Sequence, residues 1–173
     1  MKLLLIFLSI FCLSIGQAEE NAKTLTTDTH PEKFWQFVQP TGRAQLKVLF
    51  WQVYDAWYYQ TNSQQALRLR YLRDFSKNEL IKETLQQWKR MELYTDSHQK
   101  WLDQLVYIWP DISAGDELTL LIDAQASSYF FYNNQLIGSI SAQNFGQDFL
   151  MIWLGEEAEY PDVRDQLLGH KSK

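Results

Sequence analysis

The sequence predicts an α+β domain in which an antiparallel β-sheet carries a layer of α-helices on one face. Three observations lead there. Strand-like segments fall in two blocks, 43–74 and 118–140, with a helical block between them and helices after the second. Strand and helix do not alternate regularly, so a parallel βαβ sheet is not expected. The second block also contains Asn133-Asn134 between two apolar runs. Asparagine accepts positive φ, which suits a tight antiparallel hairpin.

The chain opens MKLLLIFLSIFCLSIGQAEE. Lys2 precedes an apolar run, Leu3 to Ile15, too short to span a bilayer, and Gly16-Gln17-Ala18 supplies small residues before a cut. This is the pattern of a cleaved signal peptide over residues 1–18, with processing between Ala18 and Glu19 and a periplasmic or secreted product. Cleavage removes Cys12, the only cysteine, so the mature chain has no disulfide and depends on its core. Residues 19–41 read as a flexible polar lead-in, with FWQFVQPTG adding a short element before Pro40. Residues 42–169 then form one domain of sufficient size to bury a core.

Within that domain, RAQLKVLFWQVYDAWYYQ (43–60) reads as a long strand, rich in β-branched and aromatic residues. Period-2 alternation puts Phe50, Tyr54 and Tyr58 on one face and Trp51, Val53, Trp57 and Tyr59 on the other. Both faces are apolar, so both call for cover. TNSQQ is a turn, and ALRLRYLRD (66–74) is a second strand paired with the first. Next, SKNELIKETLQQWKRMEL reads as a helix. Ser76 and Glu79 form its capping box, and Leu80, Ile81, Leu85, Trp88 and Met91 make its apolar stripe. TDSHQKWLDQLVYIWPDI is a second helix, capped near Thr95 or Asp96 and ended by Pro110. LTLLIDA and SYFFYNNQLIGSI supply the later strands. SAQNFGQDFLMIWLG is a third helix with Phe145 and Phe149 inward, and YPDVRDQLLG a short fourth with Pro161 in its first turn.

Composition narrows the chemistry. The net charge of −5 without a basic run argues against nucleic acid, and no second apolar segment is long enough to cross a membrane. There is no phosphate-cradling glycine loop and no GxSxG. None of the three histidines has a second ligand at metal spacing, so neither a metal nor another cofactor is called for. His98 reads as a solvated helix residue.

The arginines carry the remaining signal. Arg68 and Arg70 fall on one strand face, either with cross-strand carboxylates such as Asp55 or Asp123 or as an anion-holding pair. Arg73 falls in the apolar row of Leu67, Leu69 and Tyr71. A dry charge there needs a distant carboxylate, backbone carbonyls or a ligand. Tyrosines and tryptophans beside it suit an amphipathic guest with an apolar body and one polar end.

The ordered set VLFWQVYDAWYY, LRLRYLRDFSKNEL, YIWPDISAGDELTLLI, FFYNNQLIGSI and FGQDFLMIWLG resembles the bacterial chalcone isomerase-like proteins, over about Gly42 to Gly169. The resemblance implies the chalcone isomerase fold, a large antiparallel sheet with helices and a ligand cleft beside it. The plant enzyme of that fold is an intramolecular lyase using an arginine, a threonine, a tyrosine and an asparagine. Their counterparts here are Arg43, Leu49, Ser76 and Glu83, so most of the polar roles are not matched and no catalytic residue is assigned. The fatty-acid-binding branch holds a carboxylate with an arginine and a tyrosine. Arg43 with Tyr54 is the nearest pair, and Arg70 and Arg73 are the alternative.

The sequence reading is therefore an exported, non-catalytic binder of a small apolar carboxylate or lipid-like ligand. An isomerase of modified mechanism and a cell-envelope structural or interaction protein are the alternatives.

Overall fold

The computed structural model describes residues 34–170. The expected signal segment, its cut between Ala18 and Glu19, and lead-in residues 19–33 lie outside them. A one-turn helix, α1 (Phe34–Phe37), precedes six strands: β1 (Gly42–Val48), β2 (Trp51–Gln60), β3 (Gln65–Tyr71), β4 (Glu117–Ile122), β5 (Ser128–Tyr132) and β6 (Gln135–Ile140). They form one open antiparallel sheet in chain order. The helices α2 (Lys77–Arg90) and α3 (Asp96–Ile108) connect β3 to β4, and α4 (Phe145–Leu154) and α5 (Pro161–Leu167) follow β6.

Local chemistry explains most of these boundaries. Ser76 caps α2, its hydroxyl accepting from the Glu79 amide while the Glu79 carboxylate accepts from the Ser76 N–H. Asn133 and Asn134 sit at φ of 48° and 68° between β5 and β6, the left-handed pair that a two-residue hairpin demands. Pro161 opens α5, where its missing N–H costs nothing. Gly42 is required where β1 meets α5, because a Cβ there would stand 2.1 Å from the Gln166 carbonyl oxygen.

The segment 43–60 is two strands, not one. Leu49 and Phe50 form a two-residue turn that folds β1 back on β2. Nothing in the composition signals that turn, since it holds no Gly, Pro, Asn or Asp. Phe50, expected inward with Tyr54 and Tyr58, is 99% exposed at its tip. A register shift opposite Leu46 and Lys47 leaves Val53 unpaired. Such a bulge breaks the strict alternation, and Val53 packs with the helix-side core instead of with Trp57 and Tyr59.

The helices cover the face carrying Leu46, Tyr54, Ala56, Leu67, Leu69, Leu118, Leu120 and Phe130. The other face is partly covered by α1, whose Phe34 and Trp35 bury against Tyr59, Ala66, Leu121 and Phe131. Trp35 Nε1 also donates to Asn134 Oδ1 at 3.2 Å. On the helix side, Trp88 and Trp101 meet Phe145 edge-on, Phe145 stacks on Phe149, and Phe130 and Trp109 close the group from below. Full burial of such side chains contributes on the order of 1.5–3 kcal/mol each.

His98 belongs to this group and is not solvated. It is 4% exposed, wedged between Trp88 and Trp101, each with its ring centroid 4.6 Å away. Its place in the first turn of α3 turns it toward α2. Nδ1 contacts Thr95 Oγ1 at 2.9 Å, and Nε2 lies 3.3 Å from Asp148 Oδ2 without hydrogen-bond geometry. Burial lowers the imidazole pKa below its ordinary 6.5, outweighing the attraction of Asp148. Burial also raises the Asp148 carboxyl, against the pull of His98.

The unfolded chain therefore takes up the His98 proton first as the pH falls. The neutral imidazole's contribution is complete above the unfolded value and declines below it, with a slope of at most about 1.4 kcal/mol per pH unit. Asp148 acts with the opposite sign, and only nearer the carboxylate range. Urea unfolding from pH 7 to pH 5 is predicted to show falling stability that is absent in His98→Phe.

Candidate functional site

A cavity of about 460 Å³ lies between the helix-side face of the sheet and the helices α2, α4 and α5. That volume falls within the roughly 300–1,000 Å³ of small-molecule sites. Its walls are Leu67, Leu69, Leu118 and Leu120 from the sheet, Leu80 and Thr84 from α2, Phe149, Ile152 and Trp153 from α4, and Val163 from α5. Pleating delivers the sheet residues, each two positions from the next along its strand.

Two buried phenols break the apolar surface. Tyr54 and Tyr71 stand directly opposite each other on β2 and β3, their rings edge-to-face at 6.0 Å. Trp153 Nε1 donates to Tyr54 Oη at 2.8 Å, which leaves the Tyr54 O–H free to donate elsewhere. The Tyr71 hydroxyl has no hydrogen-bond partner among the described residues. Burial raises both phenols above their ordinary value, so both stay neutral donors near pH 7. The Trp109 indole N–H, on another lining residue, is buried and also without a partner among the described residues.

The mouth is charged. Arg73, two residues beyond Tyr71, is the one basic residue among the described lining residues, which also include Glu79, Glu83 and Glu159, and all four are exposed. The acids already have partners. Glu79 accepts from the Ser76 N–H and hydroxyl at 2.8 and 2.7 Å, and those bonds hold its carboxyl below the usual range. Gln87 donates to both Glu83 and Glu159, and its own carbonyl accepts from the Arg90 guanidinium. Arg73 forms no ion pair with any described residue; its guanidinium lies 4.6 Å over the Trp51 ring.

The structure thus brings two of the four sequence-predicted ligand residues, Tyr54 and Arg73, to one cavity. Arg43 and Arg70 are not on its lining. Arg43 stands opposite Trp57, and Arg70 stands between Asp55 and Glu117 in register, which places both on the sheet's other face. Arg68 shares that face and pairs with Glu117 at 2.6 Å, not with Asp55 or Asp123. Of the positions matched to the plant lyase, Glu83 reaches the mouth, Leu49 is at the exposed hairpin tip, and the Ser76 side chain serves the α2 cap. Sequence reasoning missed the Trp153–Tyr54 pair and the acids of the mouth, because residues from different elements meet there. Tyr71 was visible through its place in the Arg73 row.

A profile of the family described as chalcone isomerase-like matches residues 52–169. Among solved structures, a fatty-acid binding protein of Arabidopsis thaliana superposes with a TM-score of 0.59 at 13% identity, over 76% of this chain and 87% of that one. No curated protein matches the sequence.

Tyr54→Phe removes the acceptor that the half-buried Trp153 indole has among the described residues. It is expected to lower the unfolding free energy by about 1–3 kcal/mol, measured by urea denaturation. Trp153→Phe/Tyr54→Phe, which strips both partners, should cost less than the sum of the two single changes.

Proposed function

The chain belongs to the chalcone isomerase-like family, and we propose that it is a non-catalytic binder of an amphipathic carboxylate, with the acyl body in the cavity and the head at Arg73. The observation that carries this reading is an apolar cavity with Arg73 at its mouth, a cation without an ion-pair partner among the described residues. Leu67, Leu69, Leu118, Leu120 and Phe149 offer a chain only dispersion contacts and release of water. Arg73, Tyr71 and Tyr54 lie along one end of that surface and supply donors suited to carboxylate oxygens. Ser76 and Gln87 occupy the mouth acids as donors but leave their negative charge in place, so a carboxylate head depends on Arg73, Tyr71 and Tyr54 for its hold.

A ring-closing lyase needs donors held where enolate charge develops. The cavity lining supplies Glu83 in that region, and a carboxylate opposes such charge. Binding without turnover is the reading that these side chains support. Likeness to a protein titled as a fatty-acid binder agrees with it.

Isothermal titration with dodecanoic acid and its methyl ester tests the proposal. Arg73→Ala is expected to weaken the acid about five- to tenfold and leave the ester unchanged. Arg70→Ala, on the other sheet face, should change neither. Ile152→Trp, which fills the cavity, should weaken both. An acid that binds no better than its ester, or an unaltered affinity in Ile152→Trp, would contradict it.

Export belongs to the same proposal and is supported by the residues of the N-terminal segment. Sequencing the mature protein from a secreting host should find Glu19 first.

A further inference from the structure

The β1–β2 hairpin ends in Val48-Leu49-Phe50-Trp51, four consecutive apolar residues with exposures of 38, 87, 99 and 59%. Packing does not explain them, since Leu49 and Phe50 lie outside both hydrophobic clusters. Turn chemistry does not explain them either. Leu49 holds φ of 55° at the first turn position, where such hairpins favour glycine and where a large side chain is strained. The same sheet provides the contrast, because its β5–β6 turn uses Asn133-Asn134 for its positive φ values.

The surroundings identify what would meet such a tip. Lys47 and Arg73 flank it, and the shallow depression they form with Leu49, Phe50, Trp51, Gln52 and Leu72 is lined by no carboxylate, although the whole chain carries −5. Leucine, phenylalanine and tryptophan projecting past lysine and arginine is the composition of an interfacial membrane anchor. An acidic or neutral protein partner would not specifically call for this narrow, pointed shape; a bilayer accepts it by parting its headgroups. No helix among the described residues is long and apolar enough to cross a membrane, so the contact is peripheral.

The tip is also continuous with the cavity. Arg73 borders both, and Val48, the first residue of the apolar run, lines the cavity. We propose that the Leu49–Phe50–Trp51 tip inserts into the interface of an anionic lipid bilayer, with Lys47 and Arg73 at the headgroups, and sets the cavity mouth against the membrane. The insertion stands independently of what the cavity holds. Its consequence, that a guest enters and leaves through the bilayer without crossing water, rests on the ligand reading above.

Flotation with phosphatidylcholine vesicles containing roughly one-third phosphatidylglycerol tests the insertion. The wild-type protein should float, less so as salt rises and less so on pure phosphatidylcholine. Leu49→Gly/Phe50→Ser, which supplies the residue the turn favours, should keep or raise the melting temperature and lose about tenfold or more of the binding. Its dodecanoic acid affinity in solution should be unchanged, which separates failure of docking from failure of the ligand reading. A wild-type protein that stays in the subphase, equal binding to neutral vesicles, or a variant that still floats would overturn the insertion. So would a dimer in light scattering that this variant abolishes while neither protein floats, since the tip would then be an interface between two copies.

Discussion

The aromatic cluster at one end of the helix layer governs the rest of the structure. Trp88, Trp101, Phe145, Phe149, Phe130 and Trp109 interlock edge-to-face between the helices and the sheet, with His98 among them. Rings of that size hold the helices at a set height above the strands. The cavity opens beside that cluster, bounded by Trp109, Phe130 and Phe149 and by Leu46, Val53, Tyr54, Ile152 and Val163. The aromatic cluster thus forms one boundary of the cavity, and the Trp153–Tyr54 hydrogen bond ties α4 to β2 on its wall.

The mouth then differs from the interior by accounting of donors and acceptors. Each acid on the rim has a donor from the protein, while Arg73 has, among the described residues, only the face of Trp51. An arginine over an indole in water gains modestly from that contact. It can exchange the contact for a carboxylate at little cost, because no ion pair to another described residue must first be broken. This makes Arg73 a residue shared by the cavity and the hairpin tip.

Much of this was legible in the residues. The capping box of α2, the Asn133-Asn134 turn, the stop at Pro110 and the Pro161 start all depend on local chemistry, and each element formed where that chemistry placed it. Alternation alone put Arg73 in the row of Leu67, Leu69 and Tyr71. The first hairpin was hidden because its turn is made of leucine and phenylalanine, residues that otherwise mark strands. Val53 escaped alternation through a bulge. His98 was misread because nothing within α3 announces that Trp88 of α2 lies against it. The cavity wall itself depends on residues from α2, α4 and α5 meeting over the sheet, and no local pattern encodes that meeting.

A crystal structure grown with dodecanoic acid tests the central claim most directly. The account predicts an acyl chain lying between Leu120 and Phe149, with its carboxylate within hydrogen-bond distance of Arg73 or Tyr71 and with Trp153 still bonded to Tyr54. A cavity closed over by Phe149 and Ile152, or a carboxylate bound beside Arg43 or Arg70 on the opposite face, would contradict it.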